Sequence, residues 1–156
     1  MKALYAGTFD PFTVGHLSIA RESLHLFDSL IIAIGNNELK NTEWSIEERL
    51  EQIKGIFKDD ERVEVLAYTG LTTTFAKEKG AGVLVRGLRN TVDFEKEKEL
   101  ADVNLSVSGV RTVFIPCEPS LSFISSSMVK ELMHNGFNPS KYIAGKITLH
   151  ENLEKK

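Results

Sequence analysis

The sequence predicts an α/β fold: a single-domain, Rossmann-like, doubly wound parallel five-stranded sheet with helices on both faces. Five short runs of aliphatic and β-branched residues recur along the 156 residues, helical patterns separate them, and no repeat or Pro/Gly-rich linker interrupts the alternation. Most of these runs are apolar on both faces, which is typical of parallel strands buried between two layers of helices. Such an alternation predicts right-handed crossover connections.

The predicted strands are four to six residues long. They are ALYA from Ala3, LIIAI from Leu30, VEVLAY from Val63, VLVR from Val83 and TVFIP from Thr112. In open α/β sheets, ligands bind in the crevice at the carboxyl ends of the strands. The residues that directly follow these five runs are therefore the first candidates for a functional site.

Helical spacing of apolar residues follows the first two strands. The apolar positions are Leu17, Ala20, Leu24 and Phe27 after the first strand and Ile46, Leu50, Ile53 and Phe57 after the second. Ser45 and Glu48 form an SxxE capping box, which predicts the start of the second helix. Further helices are expected at residues 72–79, 92–105, 126–135 and 146–154. We expect one domain over residues 1–156, with a helical tail from about 143.

Composition excludes several classes of function. The net charge of −3 argues against a broad surface for nucleic acid or anionic membranes. Cys117 is the only cysteine, so an intramolecular disulfide and a Cys/His metal cluster are both excluded. The N-terminal residues show no signal-peptide pattern, and the longest aliphatic run, LIIAI, is too short to cross a bilayer. We expect a cytoplasmic protein.

Phosphate-binding residue types follow the ends of the predicted strands. The stretches are residues 8–16, 35–40, 69–72, 86–89 and 116–127, and they contain two arginines, a lysine, a histidine and many hydroxyls. Because carboxyl ends of parallel strands meet at one edge of the sheet, these side chains are expected to converge. The sequence therefore predicts an electropositive crevice in a mildly acidic protein.

His16 follows the first strand in the stretch YAGTFDPFTVGH. This is not a GxGxxG dinucleotide fingerprint, because only Gly7 follows the strand. The helix is expected to start near Gly15, which places His16 in the first turn, where free N–H groups favour an anion. The alternative is that His16 only caps a turn. The other three histidines, His25, His134 and His150, are expected to be exposed.

Three ordered motifs resemble a known family. GTFDPFTVGH resembles the TxGH form of the HxGH motif of the nucleotidyltransferase superfamily, with Thr13 in place of the first histidine. ISSSMVKE from Ile124 resembles its ISSS motif, and VRGLRNTVDFEKEKELADVN narrows the match. Together the motifs resemble the bacterial phosphopantetheine adenylyltransferases, from Ala3 to about Tyr142.

The resemblance implies a single nucleotidyltransferase domain that transfers AMP from ATP to 4'-phosphopantetheine in coenzyme A biosynthesis. The products are dephospho-coenzyme A and pyrophosphate, and the α-phosphate is attacked in line without a covalent enzyme intermediate. Mg²⁺ is expected with the ATP. The resemblance also implies a homohexamer and feedback binding of coenzyme A.

The resemblance also implies roles for individual residues. The catalytic residues are Thr8, His16, Lys40 and Arg89, and those that bind the acceptor are Thr8, Lys40, Thr72 and Arg86. ATP is expected to contact Thr8, Phe9, His16, Gly87, Leu88, Arg89, Glu97, Leu121, Ser122, Phe123, Ile124, Ser125, Ser126 and Ser127. Leu121 stands where many members of the family carry an aromatic residue.

Several of these residues also have simpler interpretations. Thr72 is expected to be a helix N-cap, and one of the three serines from Ser125 is expected to cap the next helix. Lys40 considered alone is a solvated loop lysine. Glu97 lies on the apolar stripe of its helix, where a carboxylate needs a partner.

Two other functions compete with adenylyl transfer to phosphopantetheine. A related nucleotidyltransferase could act on nicotinate mononucleotide or an alcohol phosphate, although TxGH with RGLR and ISSS disfavours it. A sensor module could bind ATP without turnover, but it has no need for cations on the acceptor side. An acceptor panel with pyrophosphate detection separates these functions.

Overall fold

A computed structural model describes residues 1–150, which contain a five-stranded parallel sheet. The spatial order of the strands is β3-β2-β1-β4-β5. The strands are β1 (Lys2–Gly7), β2 (Ser29–Gly35), β3 (Val63–Tyr68), β4 (Val83–Leu88) and β5 (Arg111–Pro116). All four pairings are parallel, and the predicted fold class is confirmed.

A helix follows each strand, as the alternation predicted. The α-helices are α1 (Val14–Leu26), α2 (Ile46–Ile56), α3 (Thr72–Glu78), α4 (Thr91–Ser108) and α5 (Ser126–His134). Short 3-10 helices lie at Pro119–Leu121 and Ser140–Tyr142. The predicted capping box of α2 is confirmed, because Ser45 accepts the N–H of Glu48 at 3.1 Å while the Glu48 carboxylate accepts the N–H of Ser45.

The central strand β1 and its neighbour β2 are buried on both faces of the sheet. On one face, strand residues pack with α1 and α2 in a cluster that includes Tyr5, Ile32, Val85, Ile19 and Ile53. The opposite face packs with α3 in a smaller cluster that includes Leu4, Ile31, Leu84 and Ala76. This two-sided burial explains why the predicted strands show no alternation of apolar and polar residues.

The strand order places a crevice at the carboxyl end of β1. The chain moves from β1 to β2 and β3 on one side, and then crosses to β4 and β5 on the other. The connection after β1 therefore leads to one side of the sheet, and the connection after β4 leads to the other side. In doubly wound sheets ligands bind at this kind of switch point.

The predicted helix at residues 146–154 is wrong for residues 146–150, and its last four positions lie outside the described residues. Residues 146–150 contain no helix, and the segment contacts Trp44 instead. The Trp44 indole N–H donates to the carbonyl of Thr148 at 2.6 Å, and the ring of His150 lies 5.5 Å from the indole. Within residues 1–150, no helix has both the length and the apolar character needed to cross a membrane.

Candidate active site

Two adjoining clefts lie at the carboxyl edge of the sheet. The first, called here the α4 cleft, has a volume of about 730 Å³ and reaches from the ends of β1, β2 and β3 to α4. The second, the α5 cleft, has a volume of about 540 Å³ and lies between the loop after β1 and the start of α5. Six residues line both clefts: Ala6, Gly7, Thr8, Lys40, Arg86 and Glu97.

His16 lines the α5 cleft from the first turn of α1. Its Nδ1 accepts the backbone N–H of Thr13 at 2.9 Å, while Thr13 Oγ1 accepts the His16 N–H. His16 therefore forms a capping box with Thr13 at the start of α1. With Nδ1 used as an acceptor, the proton of the neutral ring belongs on Nε2. The cap and a role as donor to a ligand are thus compatible.

The imidazole of His16 is neutral at physiological pH. Burial among aromatic rings, followed by the charges of Arg86 and Arg89, lowers the pKa of His16 from 6.5 to about 3. The centroids of the Phe9 and Phe12 rings lie 5.0 and 5.4 Å from the imidazole centroid. His16 can consequently donate a hydrogen bond, but it does not supply a positive charge.

Positive charge comes from Lys40, which extends from the loop after β2. Its Nζ donates to Thr8 Oγ1 at 3.2 Å, although the two residues are 32 positions apart. Both residues line both clefts. The contact therefore brings an ammonium group and a hydroxyl together where the clefts meet.

Arg86 is held in a fixed orientation at the end of β4. Its Nε and Nη2 donate to the two carboxylate oxygens of Glu97 at 2.7 Å each, and Nη1 donates to the carbonyl of Ala6 at 2.6 Å. Burial alone acts to lower the pKa of Arg86, but the hydrogen bonds and charge of Glu97 raise it above its ordinary value. In the structure the carboxylate of Glu97 is therefore paired with Arg86, a partner that was not predicted from the sequence.

Arg89 and the first turn of α5 form the outer wall of the α5 cleft. Arg89 donates to the carboxylate of Asp93 at 3.1 and 3.3 Å. Ser125 is the N-cap of α5, since its hydroxyl accepts the N–H of Met128 at 3.0 Å, which confirms that one of the serines is a cap. Ser127 is exposed and also lines the cleft. Hydroxyls and helix N–H groups here provide donors for an anion.

Comparison with known sequences places the chain in a family. A family model described as cytidylyltransferase-like matches residues 4–132. A phosphopantetheine adenylyltransferase from Porphyromonas gingivalis is 48% identical over 141 residues, which are 90% of this chain and 92% of the relative. Another from Bacteroides thetaiotaomicron is 43% identical and covers 91% of this chain and 94% of the relative. The chain belongs to the phosphopantetheine adenylyltransferase family.

Solved structures support the same fold for this member of the family. A bifunctional NMN adenylyltransferase/ADP ribose pyrophosphatase from Francisella tularensis has a TM-score of 0.64 at 13% identity, covering 91% of this chain and 44% of that chain. A putative nicotinate-nucleotide adenylyltransferase from Vibrio parahaemolyticus has a TM-score of 0.59 at 18% identity, covering 91% and 92%. At these identities, the likeness concerns the fold alone.

Most site residues that the family resemblance predicted line one of the two clefts. Besides the residues already placed, those in the α5 cleft are Phe9, Gly87, Leu121, Ile124 and Ser126. Among the described residues, the predicted ATP contacts Leu88, Ser122 and Phe123 line neither cleft. The three histidines expected to be exposed, His25, His134 and His150, are exposed.

Thr72 lines the α4 cleft, but its predicted role as an N-cap is wrong. Leu71 occupies the cap position, without a side-chain cap bond, and Thr72 is the first residue of α3. The hydroxyl of Thr72 lies 2.7 Å from that of Tyr68 instead. The hydrogen bond from the end of β3 therefore holds the side chain at the cleft.

Three charged residues around the site were not predicted from the sequence. Asp10 and Lys130 line the α5 cleft and form an ion pair at 3.0 Å. Arg49 of α2 is 2% exposed and donates to the carbonyls of Thr8 and Trp44 at 2.8 and 3.1 Å. Burial lowers the pKa of Arg49. No local pattern reveals Arg49, because a single arginine on a charged helix is typical of a solvated face.

Proposed function

We propose that the protein transfers AMP from ATP to 4'-phosphopantetheine, forming dephospho-coenzyme A and pyrophosphate. The relatives described above bear the name of this activity and are 43% and 48% identical over at least 90% of the chain. The structural observation that carries the proposal is the shared wall of the two clefts. Thr8, Lys40 and Arg86 line both, so the same donors reach both substrates.

ATP is assigned to the α5 cleft and the acceptor to the α4 cleft. The α5 cleft contains His16, Arg89 and the serines of α5, which suit a triphosphate. The α4 cleft includes apolar and amide-bearing residues of α4, such as Leu100 and Asn104, which suit the amide-containing pantetheine arm. The acceptor phosphate then meets the α-phosphate beside Thr8 and Lys40.

The reaction needs no protein nucleophile. A phosphate monoester is largely a dianion near neutral pH, so one of its oxygens attacks the α-phosphorus directly. A new P–O bond forms to the acceptor while the bond between the α-phosphorus and the bridging oxygen breaks, and pyrophosphate leaves with that electron pair. Positioning and charge neutralisation are the tasks that remain for the protein.

The described side chains match those tasks. Lys40 and Arg86 bring the two anions together, and Thr8 with the neutral Nε2–H of His16 donates to the α-phosphate as negative charge builds there. Arg89 and the serines of α5 hold the departing pyrophosphate. A neutral donor at position 16 stays in the same protonation state throughout the cycle.

Mg²⁺ is proposed to arrive with ATP, bound to the triphosphate. Within residues 1–150, no group of three or more His, Cys, Asp or Glu side chains is arranged to hold a metal ion. Phosphate oxygens are preferred ligands of this cation, and a few protein groups complete its shell. The ion neutralises charge on the triphosphate when bound.

Assembly, regulation and location remain proposals. A homohexamer is supported by α4, whose 18 residues include none that is buried in the single chain, while Val103 and Val107 are 51% and 71% exposed. Coenzyme A contains both a pantetheine arm and an adenine nucleotide, so two adjoining clefts support its feedback binding. The single nucleotidyltransferase domain and cytoplasmic location stay predictions.

An acceptor panel tests the proposed function. Purified protein with MgATP is offered 4'-phosphopantetheine, nicotinate mononucleotide, glycerol 3-phosphate or unphosphorylated pantetheine, and pyrophosphate release is followed. Only 4'-phosphopantetheine should support turnover. Turnover with another phosphate would indicate a different nucleotidyltransferase, and calorimetric ATP binding without pyrophosphate from any acceptor would indicate a sensor module.

A further inference from the structure

Asp10 is a buried carboxylate that connects three elements around the clefts. It lies in the loop between β1 and α1, and its side chain is 2% exposed. Oδ2 accepts the backbone N–H of Glu43 at 2.8 Å, and Oδ1 accepts that of Trp44 at 2.9 Å. Lys130 of α5 donates to Oδ2 at 3.0 Å. One side chain thus contacts the loop after β2 and the helix that carries the serines.

We propose that Asp10 is a positioning residue for adenylyl transfer, which anchors the loop bearing Lys40 through the amides of Glu43 and Trp44. This inference rests on the proposed function, in which Lys40 draws the two phosphates together. Glu43 is only three residues after Lys40, so its amide restricts where the loop can place the lysine. The roles assigned above to site residues do not include Asp10.

A carboxylate suits this position better than an amide side chain. Two successive N–H groups face Asp10, and each takes one of its two acceptor oxygens. An asparagine has only one acceptor oxygen, and its NH₂ group would face either a backbone N–H or the ammonium of Lys130. The buried charge is compensated because Lys130 lies at 3.0 Å.

The same carboxylate links the loop to the ATP side of the site. Lys130 follows Ser126 by one turn of α5, and both residues line the α5 cleft. The Ser126 hydroxyl also donates to the carbonyl of Pro11, the residue after Asp10, at 2.8 Å. Two contacts therefore hold α5 against the same short loop, and Asp10 joins that arrangement to the segment that carries Lys40.

A double-mutant cycle with Lys40 separates positioning from a general role in folding. We expect Asp10→Asn to lower kcat/KM for the acceptor about 10- to 100-fold, as a displaced group does. In a Lys40→Ala background the same change should cost less than about twofold, because the group that Asp10 positions is already absent. If Asp10 only supported folding, the factors by which Asp10→Asn and Lys40→Ala lower kcat/KM would multiply in the double variant.

Asp60→Asn is the matched control. The Asp60 carboxylate also accepts a backbone N–H and a basic side chain, both from Arg62 at 3.0 Å, but Asp60 lines neither of the two described clefts. Asp60→Asn should leave kcat/KM unchanged in each background, so it should equal the wild type by itself and Lys40→Ala in the double variant. If Asp10→Asn does not fold, Asp10→Glu enters the same cycle, since it keeps the charge but moves both oxygens by one methylene.

Hydrogen exchange adds a readout that needs no turnover. The amides of Glu43 and Trp44 should exchange faster in Asp10→Asn than in the wild type and in Asp60→Asn. Unchanged exchange, or a loss of kcat/KM that multiplies with Lys40→Ala, overturns the inference. A wild type that releases no pyrophosphate with 4'-phosphopantetheine overturns the proposed function instead, so the two failures are distinguishable.

Discussion

Arg86 and Glu97 are joined by two parallel hydrogen bonds of 2.7 Å across the boundary between the two clefts. The pair lies 11 positions apart in sequence and links the end of β4 to α4. Because both ends of the guanidinium fork are held, its remaining N–H groups have a defined direction. The pair therefore fixes an arginine in the shared wall of the clefts, where a free arginine would have many rotamers.

We expect Arg86→Ala to raise the KM for 4'-phosphopantetheine about tenfold or more, and the KM for ATP by less. The variant also leaves the Glu97 carboxylate without its cation, which adds repulsion of phosphate. Arg86→Ala/Glu97→Gln removes that repulsion and serves as the control, and its acceptor KM should stay above that of the wild type. Equal changes for both substrates in steady-state kinetics would contradict the assignment of Arg86 to the acceptor.

We expect His16→Ala to lower kcat roughly 10²- to 10³-fold, the loss that follows removal of one transition-state donor. The fold should persist, because Thr13 Oγ1 can still accept the N–H of residue 16. His25→Ala is the matched control, since His25 is exposed on the same helix, and its kcat should be unchanged. Near-normal turnover of folded His16→Ala would exclude His16 from the mechanism.

The low pKa of His16 predicts a distinctive dependence of stability on pH. Between about 3 and 6.5 the unfolded chain binds a proton at this residue and the folded chain does not, so His16 favours folding above pH 6.5 and this contribution is lost as the pH falls. Compared with His16→Gln, which can keep the cap, the wild type should lose up to about 1.4 kcal/mol more per pH unit. Chemical denaturation of both proteins at pH 4.5–7 measures this difference, and parallel curves would contradict a neutral imidazole at residue 16.

Ser125, the N-cap of α5, and Ser127, in its first turn, separate the capping role from the anion-binding role. Ser125→Ala removes the N-cap and should lower the free energy of unfolding by about 1 kcal/mol. Ser127→Ala changes an exposed residue of the α5 cleft, so it should leave stability unchanged but raise the KM for ATP. Thermal unfolding and steady-state kinetics on the two variants measure both effects. If neither variant loses affinity for ATP, the hydroxyls of Ser125 and Ser127 are excluded from the triphosphate site.

The sequence predicted the features that local patterns determine. The order of strands and helices, the capping box at Ser45 and the convergence of strand-end residues at one edge all follow from hydrophobic periodicity and parallel topology. Two missed features depend on long-range contacts. Asp10 contacts the amide of Trp44, 34 positions away, and Arg49 contacts the carbonyl of Thr8, 41 positions away. No local pattern in one chain reveals such partners.

The segment at 146–150 also depends on a long-range contact that no local pattern reveals. A substitution at Trp44 tests that contact. Helical spacing suggested a helix there, but the indole N–H of Trp44 holds the Thr148 carbonyl across 104 positions. Trp44 is fully buried, so Trp44→Phe leaves that carbonyl without its donor and should lower the free energy of unfolding by about 1–3 kcal/mol. Unfolding is followed by circular dichroism, because Trp44→Phe removes the one tryptophan of the chain and therefore its fluorescence signal. Phe137→Leu, at a residue 63% exposed, is the control and should change stability by less than about 0.5 kcal/mol. Equal stability of Trp44→Phe and the wild type would show that this contact does not anchor the segment.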